Sequence, residues 1–240
     1  MTVLLAFVHP SNAAVDHGSW TALLMRYVDD NGRVAYRDLQ AKDRATLEQY
    51  LATLAQAQIS GLSEAEEKAF WINAYNGMIV YGVLQGYTAE SALGRKRFFS
   101  WYSLPIAGEE RSPDDIEHKI LRNKFHDPRI HFALVCASTS CPKLRREAYL
   151  AARLDQQLDD AARTFLNDPT RNQIDSRRVA LSQIFRWFAE DFVRSAGSVI
   201  VFVQRFVGAE KSAILDATNG DLRYLDYNWT LNAQDGQGVP

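Results

Sequence analysis

The sequence predicts a helix-rich α+β fold: a single domain with a long buried central helix packed on a small, mainly antiparallel sheet. Three observations predict it. Residues 69–84 are apolar almost throughout, and Ser63 with Glu66 ahead of them is the capping-box pair that opens a helix. Residues 178–181 and 222–231 read as short strands. With 47% hydrophobic residues in a chain of 240 and no Gly/Ser-rich or Pro-rich linker, one sizeable core is expected.

From the amino terminus, residues 3–8 are apolar and small residues follow around Ser11 to Ala14. This pattern is like the tail of a signal peptide without a positively charged beginning, so residues 1–14 read as a truncated leader or a frayed terminus, with residues 15–240 as the globular domain. A leader implies a periplasmic or secreted protein; without one the chain is expected in the cytoplasm. Residues 34–39 read as a short extended piece. Residues 43–54 carry Leu47, Tyr50, Leu51 and Leu54 at helical spacing. The central helix ends before Gly86. Ser112, Pro113, Asp114 and Asp115 signal the start of a further helix reaching Arg122, since proline suits the first turn and acids favour its positive dipole end.

After the turn at 126–129, residues 130–137 are short and apolar and read as a buried strand. Residues 143–166 read as a helix with a break near Tyr149, because Leu154, Leu158, Ala161 and Phe165 form one stripe. Ser182 suits the cap of a helix over 183–192, with Ile184, Trp187, Phe188 and Phe192 facing inward. Residues 199–207 fit a strand by their β-branched content and a helix by their flanks.

Charge narrows the partners. Twenty-seven basic against 29 acidic residues leave a net charge of −2, so no strong field favours nucleic acid or an anionic membrane. A peptide or small-molecule ligand is expected instead. Beyond the leader, no apolar stretch approaches the roughly 20 residues that span a bilayer. No Gly-rich phosphate loop, GxSxG elbow or HExxH motif occurs. The spacing of His118, His131, Cys136, Cys141, Glu117 and Asp127 matches no strong zinc motif, and no metal or cofactor is predicted. Oligomeric state is not legible.

The chemistry centres on residues 131–142, HFALVCASTSCP. Cys136 and Cys141 are the only cysteines; their spacing allows a disulfide across a loop or two free thiols. On a regular strand His131 and Cys136 point to opposite faces, which makes Cys136 a small buried hydrophobe. Pro142 places Cys141 at a helix start, where the dipole stabilises a thiolate nucleophile. His118 and His131 are the candidate bases. Asp114 lies four residues before His118 and can hold its tautomer, whereas Glu117 and His118 diverge by about a hundred degrees on an α-helix. Asn73 and Asn76 share neighbouring surface of the central helix; they either polarise a substrate carbonyl or satisfy loop backbone groups. Ser138 is a substrate-binding candidate and Ser140 a turn former.

The blocks FWINAYN (70–76), DDIEHKILR (114–122), DPRIHFAL (127–134), CASTSCPKLR (136–145), IFRWFAEDF (184–192) and YLDYNWTLN (224–232) resemble, in combination and order, the domain of unknown function 547 family. The resemblance spans 69–232. It implies that Asn73, Asn76, Glu117, His118, His131, Cys136, Ser138, Cys141 and Pro142 occupy the family's motif positions, and it suggests a bacterial exported protein. Val135 stands where the family tends to carry Asn, and Asn228 replaces the acid of a YDWSLN ending.

The expected activity is that of a cysteine-dependent hydrolase or acyltransferase on a peptide or amide bond. Cys141 or Cys136 would be the nucleophile and His118 or His131 the base. Glu117, Asp114 or Asp127 would orient that base. The alternative is a non-catalytic exported binding or scaffold module with a structural Cys136–Cys141 disulfide.

Overall fold

The computed structural model describes residues 15–218, 220 and 222–238, so the leader expected over residues 1–14 lies outside the described residues. Helices α1 (Gly18–Tyr27), α2 (Tyr36–Lys42) and α3 (Arg44–Ala55) precede the central α4 (Glu64–Leu84). The capping box forms: the Ser63 hydroxyl accepts from the Glu66 backbone N–H while the Glu66 carboxylate accepts from the Ser63 N–H at 2.8 Å. From Glu67 to Leu84 α4 is buried on nearly every side, as its apolar run requires. Gly82 allows a close approach on one side: a Cβ there would lie 2.5 Å from a ring carbon of Phe98.

A short helix α5 (Ala92–Arg95) leads into a π-helix, Lys96–Trp101, and then the hairpin β1 (Leu104–Ile106) and β2 (Glu109–Arg111). A second π-helix, Asp115–Phe125, follows where an α-helix was expected. Its i→i+5 bonding winds more residues into each turn, so consecutive side chains diverge less than on an α-helix.

Residues 130–137 do not form the expected strand. Pro128–Phe132 is a 3-10 helix capped by Asp127, whose carboxylate accepts from the Arg129 N–H at 3.1 Å. The backbone that follows is satisfied by a side chain instead of a β-ladder: Asn76 donates to Ala133 O at 2.9 Å and accepts from Val135 N at 3.0 Å. The alternation argument that separated His131 from Cys136 therefore does not apply.

The expected helix from residue 143 is likewise absent until α6 (Leu154–Asn167). Asn73 takes both the N–H and the C=O of Tyr149, at 2.9 and 2.8 Å, and Gln157 takes Leu150 N and Ala148 O. These tertiary bonds hold residues 143–150 in an irregular path, followed by a 3-10 turn at Ala151–Arg153, so no helix starts at Cys141.

Strands β3 (Gln173–Asp175) and β4 (Arg178–Leu181) pair antiparallel, and β5 (Arg223–Tyr224) joins β4 in parallel. Helices α7 (Ile184–Trp187), α8 (Ala189–Ala196), α9 (Val199–Gln204) and α10 (Ala209–Asp216) lie between β4 and β5, so the ambiguous segment 199–207 is helical over 199–204 and a turn over 205–207. The fold is the helix-rich α+β class predicted, with its strands divided between two small sheets. Among the described residues no helix is long and apolar enough to cross a membrane.

Two apolar clusters build the core. One gathers α1–α4 with residues around 130–149; the other packs Phe132, Phe165, Phe185, Phe192 and Phe202. The 3-10 helix Pro128–Phe132 bridges them, with Ile130 in the first cluster and Phe132 in the second. His131 lies between, on the seam.

Candidate functional site

At this seam a cavity of about 170 Å3 is lined by Glu117, His118, His131, Cys136 and Cys141 together with an aromatic surround that includes Tyr75, Phe188 and Tyr227. Residues from six stretches of sequence converge there, around positions 75, 99, 114–118, 131–142, 184–188 and 227–229. The second π-helix carries both Glu117 and His118, and both line the cavity.

His131 is 3% exposed. Its Nε2 is 2.8 Å from Asp191 Oδ2, while its buried Nδ1 has no hydrogen-bond partner and lies 3.8 Å from Glu117 Oε1. Phe188 stacks on the imidazole at 3.9 Å between centroids. Burial pulls the His131 pKa below its ordinary value, outweighing the upward pull of Asp191, so the ring is neutral near pH 7. A neutral ring that donates from Nε2 to the carboxylate leaves a lone pair on Nδ1. Asp191 also takes Arg122 Nε at 2.6 Å and Nη2 at 3.2 Å, and the His131 and Arg122 contacts hold its carboxyl well below the usual range despite burial.

Glu117 titrates in the opposite sense. Burial, then the charge of Asp114, pushes its pKa up to about 7, so it is largely protonated in mildly acidic solution; the Tyr75 hydroxyl is its hydrogen-bond partner. Two carboxyls in one site thus hold different protonation states, the arrangement that divides acid and base roles. His118 lies at the outer edge. Its Nδ1 is 3.1 Å from Arg122 Nη1, and its Nε2 is 3.8 Å from Asp114, the expected partner four residues earlier. Burial lowers its pKa as well.

The two cysteines are joined as a disulfide, with Cα atoms 6.2 Å apart. They are unequal. Cys136 is half-buried, whereas Cys141 is 2% exposed. Ser138 Oγ and Tyr227 Oη lie 3.1 and 3.3 Å from Cys136 Sγ, and Ser138 donates onward to Tyr227. Burial raises the Tyr227 pKa, so its hydroxyl keeps its proton. Between the cysteines Ala137 has φ of +60°, a left-handed conformation that costs a non-glycine residue about 1–2 kcal/mol. The C-terminal segment maintains it: Asn232 N donates to Ala137 O at 3.0 Å and Thr139 N to Thr230 O at 2.7 Å. That same segment delivers Tyr227 and Trp229, which pack on Trp187 at the cavity. Asn228, the departure from the acidic ending, forms a local turn by accepting from Thr230 N at 3.0 Å.

Neither Asn73 nor Asn76 lines the cavity; both are buried backbone clamps beneath it. Asp127 is also elsewhere, paired with Arg129 and Lys68. Asp191, Tyr227 and the aromatic surround escaped residue-by-residue reading. The available signal for Asp191 was an acid between Phe188 and Phe192, in a helix whose apolar face is buried. A larger groove of about 900 Å3 lies beside Ser138 and Pro142, but its Arg171–Asp168 and Arg33–Asp235 pairs already satisfy one another. Among the described residues no group of three or more His, Cys, Asp or Glu side chains is arranged to hold a metal ion.

No curated protein and no solved structure matches the chain. The family match covers the central helix, the second π-helix, the cysteine loop and α6, and stops before Asp191 and Tyr227. Residues 59–166 match the model of the family described as protein of unknown function, DUF547, the family that the sequence blocks resemble.

Proposed function

We propose that the chain is a cysteine-dependent hydrolase or acyltransferase acting on a peptide or amide bond, working with its two cysteines reduced, with Cys136 as nucleophile and His131 as base. The supporting observation is the Asp191–His131 pair: the carboxylate engages Nε2, leaving an unpartnered Nδ1 buried in the cavity that Cys136 lines. An orienting acid and an imidazole with a free nitrogen are two of the three groups that thiol catalysis needs, and Cys136, which lines the same cavity, is the third in this reading.

In this scheme Nδ1 takes the Cys136 proton and the thiolate attacks the carbonyl carbon. The Ser138 and Tyr227 hydroxyls, close to Cys136 Sγ, donate to the oxyanion. The leaving nitrogen takes its proton from the imidazolium or from protonated Glu117. Water, or an acceptor nucleophile, then releases the acyl group from Cys136. Cys136 is favoured over Cys141 because it is the more accessible sulfur and precedes the left-handed Ala137, whereas Cys141 is enclosed and has no helix behind it. A 170 Å3 cavity admits one side-chain-sized group of a substrate, and Phe99, Trp187 and Trp229 offer apolar faces to it.

A second reading draws on the closed disulfide: a non-catalytic exported binding or scaffold module in which the bridge and histidines hold the fold. Incubating the reduced protein with a panel of fluorogenic peptide amides separates the two. The enzyme reading expects turnover that Cys136→Ser abolishes and Cys141→Ser retains. Absence of turnover by the reduced, folded protein, or turnover that survives Cys136→Ser, favours the module.

A further inference from the structure

The oxidised pair carries a chemistry of its own. Disulfide exchange needs one sulfur open to attack and another able to leave as thiolate, and the loop divides these roles. Both cysteines line the cavity, but Cys136 is half-buried whereas Cys141 is 2% exposed and its Sγ already meets two donors. The Cys136 backbone N–H, 2.9 Å from Cys141 Sγ, is the donor that distinguishes this sulfur; the Tyr227 hydroxyl lies 3.3 Å from both sulfurs, with Ser138 donating to it in turn. Donors aimed at a sulfur stabilise the charge that appears when its bond breaks. The unpartnered Nδ1 of His131 is a proton acceptor in the same cavity.

We propose that the Cys136–Cys141 disulfide is a thiol–disulfide exchange centre that accepts a small or peptidyl thiol at Cys136 and releases Cys141. The incoming thiol gives its proton to His131 Nδ1, and its sulfur bonds to Cys136 Sγ. The Cys136–Cys141 bond breaks and its electron pair goes to Cys141 Sγ, which is held by the Cys136 N–H and Tyr227 and then takes the proton from the imidazolium. A second thiol attacks the substrate sulfur of the mixed disulfide, freeing Cys136, which takes that thiol's proton. Two thiols are oxidised to one disulfide by two electrons, and the protein pair is reduced to two thiols by the same two.

The reduced product is the state on which the hydrolase reading depends, but the exchange does not depend on that reading. Its test uses the oxidised full chain, incubated in separate arms with glutathione and with a short cysteine-containing peptide, alkylated at intervals and mapped by mass spectrometry. The expected adduct is on Cys136, with Cys141 alkylated, forming at least ~10-fold faster than on a synthetic disulfide peptide spanning 130–146. A faster glutathione arm assigns the site to small thiols, and a faster peptide arm to peptidyl thiols. Tyr227→Phe, checked for folding by circular dichroism, is expected to slow exchange several-fold. An adduct on Cys141, a rate no greater than that of the peptide, or a folded Tyr227→Phe with unchanged rate overturns the proposal. Cys141→Ser separates the two chemistries, since it removes the disulfide and leaves Cys136 free to attack an amide.

Discussion

Asp191 Oδ2 lies 2.8 Å from His131 Nε2 and also accepts from Arg122 Nε at 2.6 Å, while Arg122 Nη2 donates to the second carboxylate oxygen at 3.2 Å. Three otherwise distant segments meet in this contact: the second π-helix through Arg122, the 3-10 helix through His131 and α8 through Asp191. The carboxylate fixes the ring's tautomer and leaves the other nitrogen, 3.8 Å from Glu117, without a partner in the cavity that the cysteines also line.

Replacing Asp191 separates orientation from folding. Asp191→Ala leaves Arg122 without its carboxylate partner in a partly buried position and is expected to cost about 2–4 kcal/mol in urea unfolding. Asp191→Asn keeps much of the shape and is expected to cost less, while lowering the Cys136 alkylation rate of the reduced protein about 10²-fold or more. Equal stability losses in the two variants with no change in alkylation would contradict the orienting role.

Glu117 predicts a pH-dependent stability difference. Its folded pKa of about 7 lies above its ordinary value of 4.5, so the folded state binds its proton more tightly than the unfolded state. The stabilisation is complete below pH 4.5 and is lost as pH rises through 7. Glu117→Gln removes the cost of burying a charge. Relative to the parent, the variant is expected to gain about 1–3 kcal/mol at pH 8 over its difference at pH 4. Urea unfolding at both pH values checks this, and a pH-independent difference contradicts it.

Asn73 and Asn76 predict a purely structural loss. Each amide serves one buried N–H and one buried C=O, so Asn73→Ala and Asn76→Ala are each expected to cost about 2–4 kcal/mol. Alkylation of Cys136, normalised to the folded fraction, should be unchanged in Asn73→Ala, whose clamp lies at Tyr149. A fall in that normalised rate would instead assign Asn73 a direct part in the site.

These comparisons show what the sequence could reveal. The central helix was legible because its cap and apolar run are local signals, and Glu117, His118, His131, Cys136 and Cys141 line one cavity, whereas Asp127 does not. The strand at 130–137 was misread because an apolar run shows that a segment is buried, not what satisfies its backbone. Here Asn76, more than fifty residues earlier, does so. The helix dipole expected at Cys141 failed for the same reason, with Asn73 and Gln157 holding the following segment in an irregular path. Glu117 and His118 both line the cavity from a π-wound helix, a winding for which spacing gives no cue. Asp191 and Tyr227 enter through tertiary packing alone.

Activation of Cys136 by Asp191 and His131 in the reduced protein is read by the rate of iodoacetamide alkylation from pH 5.5 to 8.5, comparing the parent with Cys136→Ser, Cys141→Ser and Asp191→Asn. Labelling of Cys136 near pH 7 is expected to be at least ~10-fold faster than that of a free-cysteine peptide. That rate should be retained in Cys141→Ser and reduced in Asp191→Asn. Labelling no faster than the peptide, or a fast site that maps to Cys141, would contradict it.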